Sequence, residues 1–205
     1  MTTRVLNQER KTGCFHPSSL SRCPKILYDS YLKESHVGTE DDARKARIFE
    51  NGHSVHKRLQ KNFRDSSLLI DEDVPIHDDK YEICGEIDGL LSFWGELIVL
   101  DIKSVNSRKF RSMYKPEDSH IIQVNVYMYC LGIKYGFLFY ECKDDQQVHE
   151  YFLEYNPEVL LPVFKKIKFV QKCIQEETSP ECKYDDKKFE CRYCEYIDKF
   201  EEERS

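Results

Sequence analysis

The chain lacks any apolar run approaching the ~18 residues that a membrane span needs, so no bilayer crossing is expected. Its first residues, MTTRVLNQERKTG, lack the apolar stretch of a secretory signal, which points to an intracellular protein. No internal repeat and no low-complexity linker interrupts it. Basic residues are not in excess: 31 Lys and Arg stand against 37 Asp and Glu, a formal charge of −6. That balance excludes a strongly basic nucleic-acid coating protein, but not an enzyme that sets an acidic site beside a local basic path. What remains suits one globular domain. The 205 residues, 40% hydrophobic and 33% charged, rule out wholesale disorder and are long enough to bury a proper core.

Cysteine is the residue in surplus, with nine. Without a secretory signal a disulfide framework is not expected, so a metal or iron–sulfur site becomes the favoured reading of any cluster. Cys182, Cys191 and Cys194 form such a cluster near the C-terminus. Cys84, Cys130 and Cys142 lie in apolar segments and read as small core residues, while Cys14 and Cys173 carry no assignment.

Pro17-Ser18-Ser19 reads as a helix start capped by Ser18 and running to about Leu32, with Pro24 either awkward inside it or the first turn of a second segment. From Asp41 to Arg64, Ile48, Val55, Leu59 and Phe63 recur at near-helical spacing. Strand patterns follow over 67–77, 81–93 and 96–105, with turn signals at Asp78-Asp79 and Trp94-Gly95. Leu97 to Leu100 is a continuous apolar run, as in a strand buried on both faces. A helix over Asp118–Gly132, two strands over 135–143 and 148–155, and a last helix from Asn156-Pro157 to about Glu177 complete the pattern. The expected fold class is α/β, a mixed central sheet flanked by helices. Residues 1–66 would form an N-terminal helical part, 67–155 a sheet and helix, and 156–205 a C-terminal helix with a cysteine tail, all in one domain.

The chemistry concentrates in Gly85-Glu-Ile-Asp88-Gly89 and, twelve residues on, Asp101-Ile-Lys103. Asp101 and Lys103 are two apart, so a strand projects them from one face. Two carboxylates can hold Mg²⁺ or Mn²⁺, and a lysine beside them supplies positive charge to a developing phosphorane, which is what phosphodiester hydrolysis requires. Asp-x-Lys alone is common, and reads equally well as a salt bridge at a strand end. The Gly-Glu-Ile-Asp-Gly turn before it and the helix after it favour a site. Glu86 shares the face of Asp88, as an auxiliary acid or as a charged turn flank.

Four motifs in order then make a resemblance plain: Gly52-His-Ser-Val-His56, Gly85-Glu-Ile-Asp88-Gly89, Asp101-Ile-Lys103 and Gln123-Val-Asn-Val-Tyr127. They resemble the G-x-x-x-H, G-x-x-D-G, D-x-K and Q-x-x-x-Y series of the RecB-like branch of the PD-(D/E)XK nucleases, which includes CRISPR-associated exonucleases and phage-encoded relatives. The resemblance implies a restriction-endonuclease-like core with a C-terminal cysteine-containing extension. It implies a metal held by His56, Asp88, Asp101 and the carbonyl of Ile102, with Lys103, Gln123 and Tyr127 as catalytic residues. An imidazole donor biases such a site toward Mn²⁺, and His53 reads as a surface residue.

The same resemblance implies a [4Fe–4S] cluster on Cys23, Cys182, Cys191 and Cys194. The C-x8-C-x2-C order of the tail departs from the usual pattern, and four thiolates suit zinc as well. The activity implied is metal-dependent cleavage of DNA, single-stranded or with free ends, by an exonuclease of DNA processing, recombination or repair. Its setting would be the cytoplasm of a prokaryote or of a phage-infected host, with a second copy or recombination- or CRISPR-type proteins as partners. Lys45, Arg47, Lys57, Arg58, Lys61 and Arg64, then Arg108, Lys109 and Arg111, would neutralise phosphates, and Phe110 and Tyr114 would stack on bases. Two competing readings remain: a nuclease-like module that binds nucleic acid or protein without cutting, and a structural zinc protein.

Overall fold

The structure, a computed structural model, describes residues 12–32 and 40–181, with the backbone alone for 40–45. A 3₁₀ turn at Pro17–Ser19 precedes α1 (Pro24–Leu32). Of the two readings of Pro24, the second holds: it is the first turn of a separate segment. Pro24 has no N–H to give and its ring clashes inside a helix, so it opens α1 instead. After α2 (Glu40–Asp65) come β1 (Leu69–Asp78), β2 (Ile83–Phe93) and β3 (Glu96–Val105), an antiparallel meander. Trp94 and Gly95 turn β2 into β3 with φ of 50° and 83°, the left-handed pair that a two-residue hairpin needs.

A short helix, α3 (Ser107–Ser112), follows β3. Sequence periodicity misses it because six residues hold less than two turns. Its signal is the cap, since the Asn106 side chain accepts from the Lys109 N–H. The chain crosses through α4 (Asp118–Leu131) to β4 (Tyr135–Cys142), which lies parallel to β3, and β5 (Val148–Glu154) returns antiparallel. The last described helix is α5 (Pro157–Gln175). The sheet order is β1-β2-β3-β4-β5, so the sheet is mixed as expected.

Helices cover both faces. On one, Leu27, Met128 and Ile167 from α1, α4 and α5 pack with Ile87, Val99 and Leu138 of the sheet. On the other, Val55 and Leu59 of α2 lie over Leu100, Ile102 and Phe139. Each fully buried side chain of this size contributes roughly 1.5–3 kcal/mol, so two complete layers hold the sheet. Ile48, expected in the apolar stripe of α2, is instead exposed.

Candidate active site

The β2–β3 ladder pairs Gly89 with Leu100 and stops there. Toward the start of β2 the two strands part, β2 staying with β1 and β3 staying with β4. Asp88 and Asp101 sit at this fork. The sequence suggested strand ends and a turn around Gly85–Gly89, but both aspartates lie inside strands. The end of pairing, rather than the end of a strand, opens the place. Gly89 belongs to the fork for a steric reason: a Cβ there would meet Leu69 Cδ1 at 2.5 Å and the Asp71 carbonyl at 3.3 Å.

Parting leaves the Ile102 N–H without a ladder acceptor on that side, and the Asp88 carboxylate takes it, with Oδ2 accepting at 2.6 Å. The other oxygen of Asp88 faces His56, whose Nδ1 is 2.9 Å away. Burial lowers the His56 pKa, but the hydrogen bond and charge of Asp88 outweigh it and leave the imidazole raised. Ile102 itself is fully buried, in the core layer under α2.

Asp101 is 2% exposed. Lys103 Nζ donates to its Oδ1 at 3.1 Å. Oδ2 forms an ion pair with the same nitrogen at 2.9 Å and is buried without a hydrogen-bond partner. Burial pushes this carboxyl up to about 6, with the Lys103 charge opposing and the Asp88 charge adding. Lys103 also donates to Gln123 Oε1 at 3.0 Å, and Gln123 Nε2 donates to the Tyr127 hydroxyl oxygen at 2.8 Å. Gln123 and Tyr127 stand one turn apart on α4, as i and i+4 spacing dictates. Burial, then the Asp101 charge, raises the Tyr127 hydroxyl well above its ordinary value, so it stays protonated.

Beside the fork is a cleft of about 250 Å³ lined by His53, His56, Lys57, Gln60, Asp73, Glu86 and Asp88. His53, Gln60 and Asp73 are the members that sequence reading missed. Gln60, 1% exposed, donates from Nε2 to the Asp88 carbonyl at 2.6 Å and to Asp73 Oδ1 at 2.9 Å. His53, His56 and Gln60 follow helical spacing, so one polar face of α2 was the available signal. Asp73 had none, because only β1–β2 pairing brings it there. Glu86 is raised by burial first and Asp73 second.

The chemistry of the donors is that of a site for a hard divalent cation. Asp88 and Asp101 offer carboxylate oxygens, one of the Asp101 oxygens being buried without a hydrogen-bond partner. His56 offers an imidazole nitrogen, which completes the mixed oxygen and nitrogen set that such ions accept.

Other expectations fare differently. Lys57 pairs with Asp73, Arg58 with buried Glu141 at 2.5 and 2.8 Å, Lys61 with Asp65 at 2.6 Å and Arg64 with Glu72. Lys109 pairs with Glu117. Much of the expected basic path is thus engaged with acids, and the side chain of Lys45 lies outside the described residues. Phe110 is buried and stacks on His149 at 4.0 Å, so it is no platform for a base, whereas Tyr114 is exposed. Cys23 is a half-buried free thiol just before α1, and Cys182, Cys191 and Cys194 lie outside the described residues. Cys84, expected to be an inert core residue in a chain without disulfides, is joined to Cys14 in a disulfide. Cys130 and Cys142 are free, and burial pushes the Cys130 thiol up to about 12, as suits a packing residue. Among the described residues no helix is long and apolar enough to cross a membrane.

Fork, crossover helix and flanking layers define a class of fold, a restriction-endonuclease-like α/β core with a mixed sheet between helices. Several solved structures share it. An alkaline exonuclease from Laribacter hongkongensis superposes with a TM-score of 0.61 at 14% identity, covering 94% of this chain and 95% of that one. The same enzyme in complex with dAMP gives 0.61 at 14% identity, over 80% of this chain and 89% of that one. SSO0001 gives 0.59 at 20% identity, over 94% and 88%. A search with protein-family models finds no match, and no curated protein matches the sequence.

Proposed function

We propose that the chain is a metal-dependent nuclease that hydrolyses DNA phosphodiester bonds as an exonuclease. The observation that carries this is the buried Asp101 oxygen left without a hydrogen-bond partner, beside Lys103 and at a fork whose other strand carries Asp88, paired with His56. The fold it shares with an alkaline exonuclease that has also been solved with dAMP supports DNA as the substrate.

His56, Asp88, Asp101 and the Ile102 carbonyl would hold Mg²⁺ or Mn²⁺. When bound, such an ion polarises the phosphate and makes a neighbouring water more acidic. The chain's own groups do the rest. Lys103 sets a cation beside the place where charge develops in the transition state, and Asp101 and Gln123 hold its ammonium in two directions. Tyr127 fixes the Gln123 amide so that its oxygen, not its nitrogen, faces the lysine. Gln60 ties the Asp88 backbone to α2, keeping His56 and Asp88 in register.

The test uses end-labelled linear and closed circular DNA, single- and double-stranded, with Mg²⁺, Mn²⁺ or Ca²⁺. Degradation of linear DNA only is expected. Asp101→Ala should abolish cleavage and Lys103→Ala should slow it by roughly 10²-fold or more, both with native folding. Wild-type rates in either variant would sink the assignment, and binding without cleavage would favour a non-catalytic module.

The cysteine set is part of the same proposal. Cys23, Cys182, Cys191 and Cys194 would hold a [4Fe–4S] cluster, with zinc as the alternative. Iron, sulfide and zinc contents of the anaerobically purified chain and of Cys23→Ser decide between them. Full occupancy in Cys23→Ser removes that residue from the set.

A further inference from the structure

A second cluster of ligating side chains stands apart from the fork. Cys14, His16 and Cys84 bring two sulfurs and a ring nitrogen within 4.8 Å of one another. The backbone explains why. Phe15 bridges Ile83 in parallel, with the Phe15 N–H donating to the Glu82 carbonyl at 2.7 Å and the Cys84 N–H to the Phe15 carbonyl at 3.1 Å. In extended chain, neighbours alternate faces. Phe15 and Ile83 point into the core, so Cys14, His16 and Cys84 fall together on the other side. Packing holds this segment in place: a Cβ at Gly85 would lie 3.0 Å from Pro17 Cδ.

We propose that Cys14, His16 and Cys84, in their dithiol form, constitute a binding site for a thiophilic divalent cation, Zn²⁺. Donor chemistry selects the ion. Two thiolates and one imidazole are a zinc set, whereas oxygen-seeking Mg²⁺ and Ca²⁺ find no carboxylate among them. The spacing agrees. Two thiolates at ~2.3 Å from a tetrahedral ion stand roughly 3.8 Å apart, within reach of two cysteines whose Cα atoms are 5.8 Å apart. His16 Nδ1 is 3.9 Å from Cys84 Sγ, a separation suited to two ligands of one ion. Cys14 and Cys84 are 4% and 6% exposed while His16 is half-buried, so the imidazole side is the way in.

Disulfide and zinc site are then two states of one pair. A dithiol reductant gives two electrons and two protons to the Cys14–Cys84 bond, yielding two thiols and its own disulfide. Zn²⁺ binding next expels the two thiol protons to the solvent. Either state clips residues 14–16 to the start of β2, four residues ahead of Asp88, across 70 residues of chain.

The experiment titrates the full chain with Co²⁺, a spectroscopic stand-in for zinc, after reduction by dithiothreitol and its anaerobic removal. Tetrahedral cobalt–thiolate bands are expected, with one equivalent that persists in Cys23→Ser and disappears in Cys14→Ser. Because cysteine variants also lose the disulfide, His16→Ala separates the two states. It should still oxidise to the disulfide, yet bind cobalt at least roughly 10-fold more weakly at this equivalent. Competition with Zn²⁺ should bleach the bands. Native cobalt stoichiometry in Cys14→Ser, native affinity in His16→Ala, or a pair that takes up no cobalt once reduced would each overturn the proposal.

Discussion

His120 makes the acid side of the stability curve a quantitative test of the fold around Lys103. Its Nδ1 is 2.7 Å from the Tyr140 hydroxyl, which accepts the Glu117 N–H at 3.3 Å and so has its own hydrogen to give to the ring. Nε2 stands 3.7 Å from Glu117 Oε2. Glu117 alone would favour an imidazolium, but burial comes first and the Lys103 and Lys109 cations add to it, pulling the pKa from 6.5 down to about 3. The folded protein therefore keeps His120 neutral while the unfolded chain protonates it near 6.5. Its contribution to stability is complete above about pH 6.5 and is lost as pH falls from there toward 3. Between pH 8 and pH 5 the loss is roughly 2 kcal/mol from this one group. Urea unfolding at both pH values measures it, in the native chain and in His120→Gln, whose amide oxygen can accept from Tyr140 but cannot take a proton. Carboxylates contribute to both curves alike, so the difference isolates the ring. The native chain should lose roughly 2 kcal/mol more than the variant. Equal losses would refute a neutral, buried His120 and the placing of Lys103 and Lys109 about it.

Other consequences are open to direct measurement. Tyr127→Phe leaves the buried Gln123 Nε2 without its acceptor, which should cost about 1–3 kcal/mol in chemical denaturation. It should also lower kcat more than it raises KM, and an unchanged kcat would remove Tyr127 from the positioning of Lys103. Arg58→Ala strands Glu141, which is 2% exposed and accepts two hydrogen bonds from that guanidinium. Because Arg58 itself is part-exposed, the loss should fall near ~3 kcal/mol, the low end for broken buried pairs. A loss below the error of urea titration would show that water reaches Glu141. His56→Ala should shift the metal titration of cleavage, and Mn²⁺ should support at least as much activity as Mg²⁺ in the native chain. A variant that titrates as the native chain does would make His56 a bystander.

Much of this protein could be read from residue order because its signals are local. Period-2 and helical patterns place the approximate ranges of all five strands and of the longer helices without reference to one another, and Pro24, Trp94-Gly95 and Gly132 punctuate them through backbone rules that need no partner. Asp101 and Lys103 share a strand face, and Gln123 and Tyr127 a helix face, by spacing alone. Tertiary structure decided the rest. That the β2–β3 ladder ends at Gly89 and Leu100, leaving the Ile102 N–H to Asp88, depends on β1 and β4 each holding one strand. The cleft needs α2 laid across the sheet to set His53 and Gln60 beside Asp73. The basic residues of α2 read as a path for phosphates, yet Arg58 finds Glu141, 83 residues away, and Lys57 finds Asp73. Cys14 meets Cys84 only because Phe15 bridges Ile83. Spacing along the chain determines which side chains share a face. Pairing between distant segments determines whether that face meets a partner charge, a second thiol or open space, and this depends on contacts that no window of sequence contains.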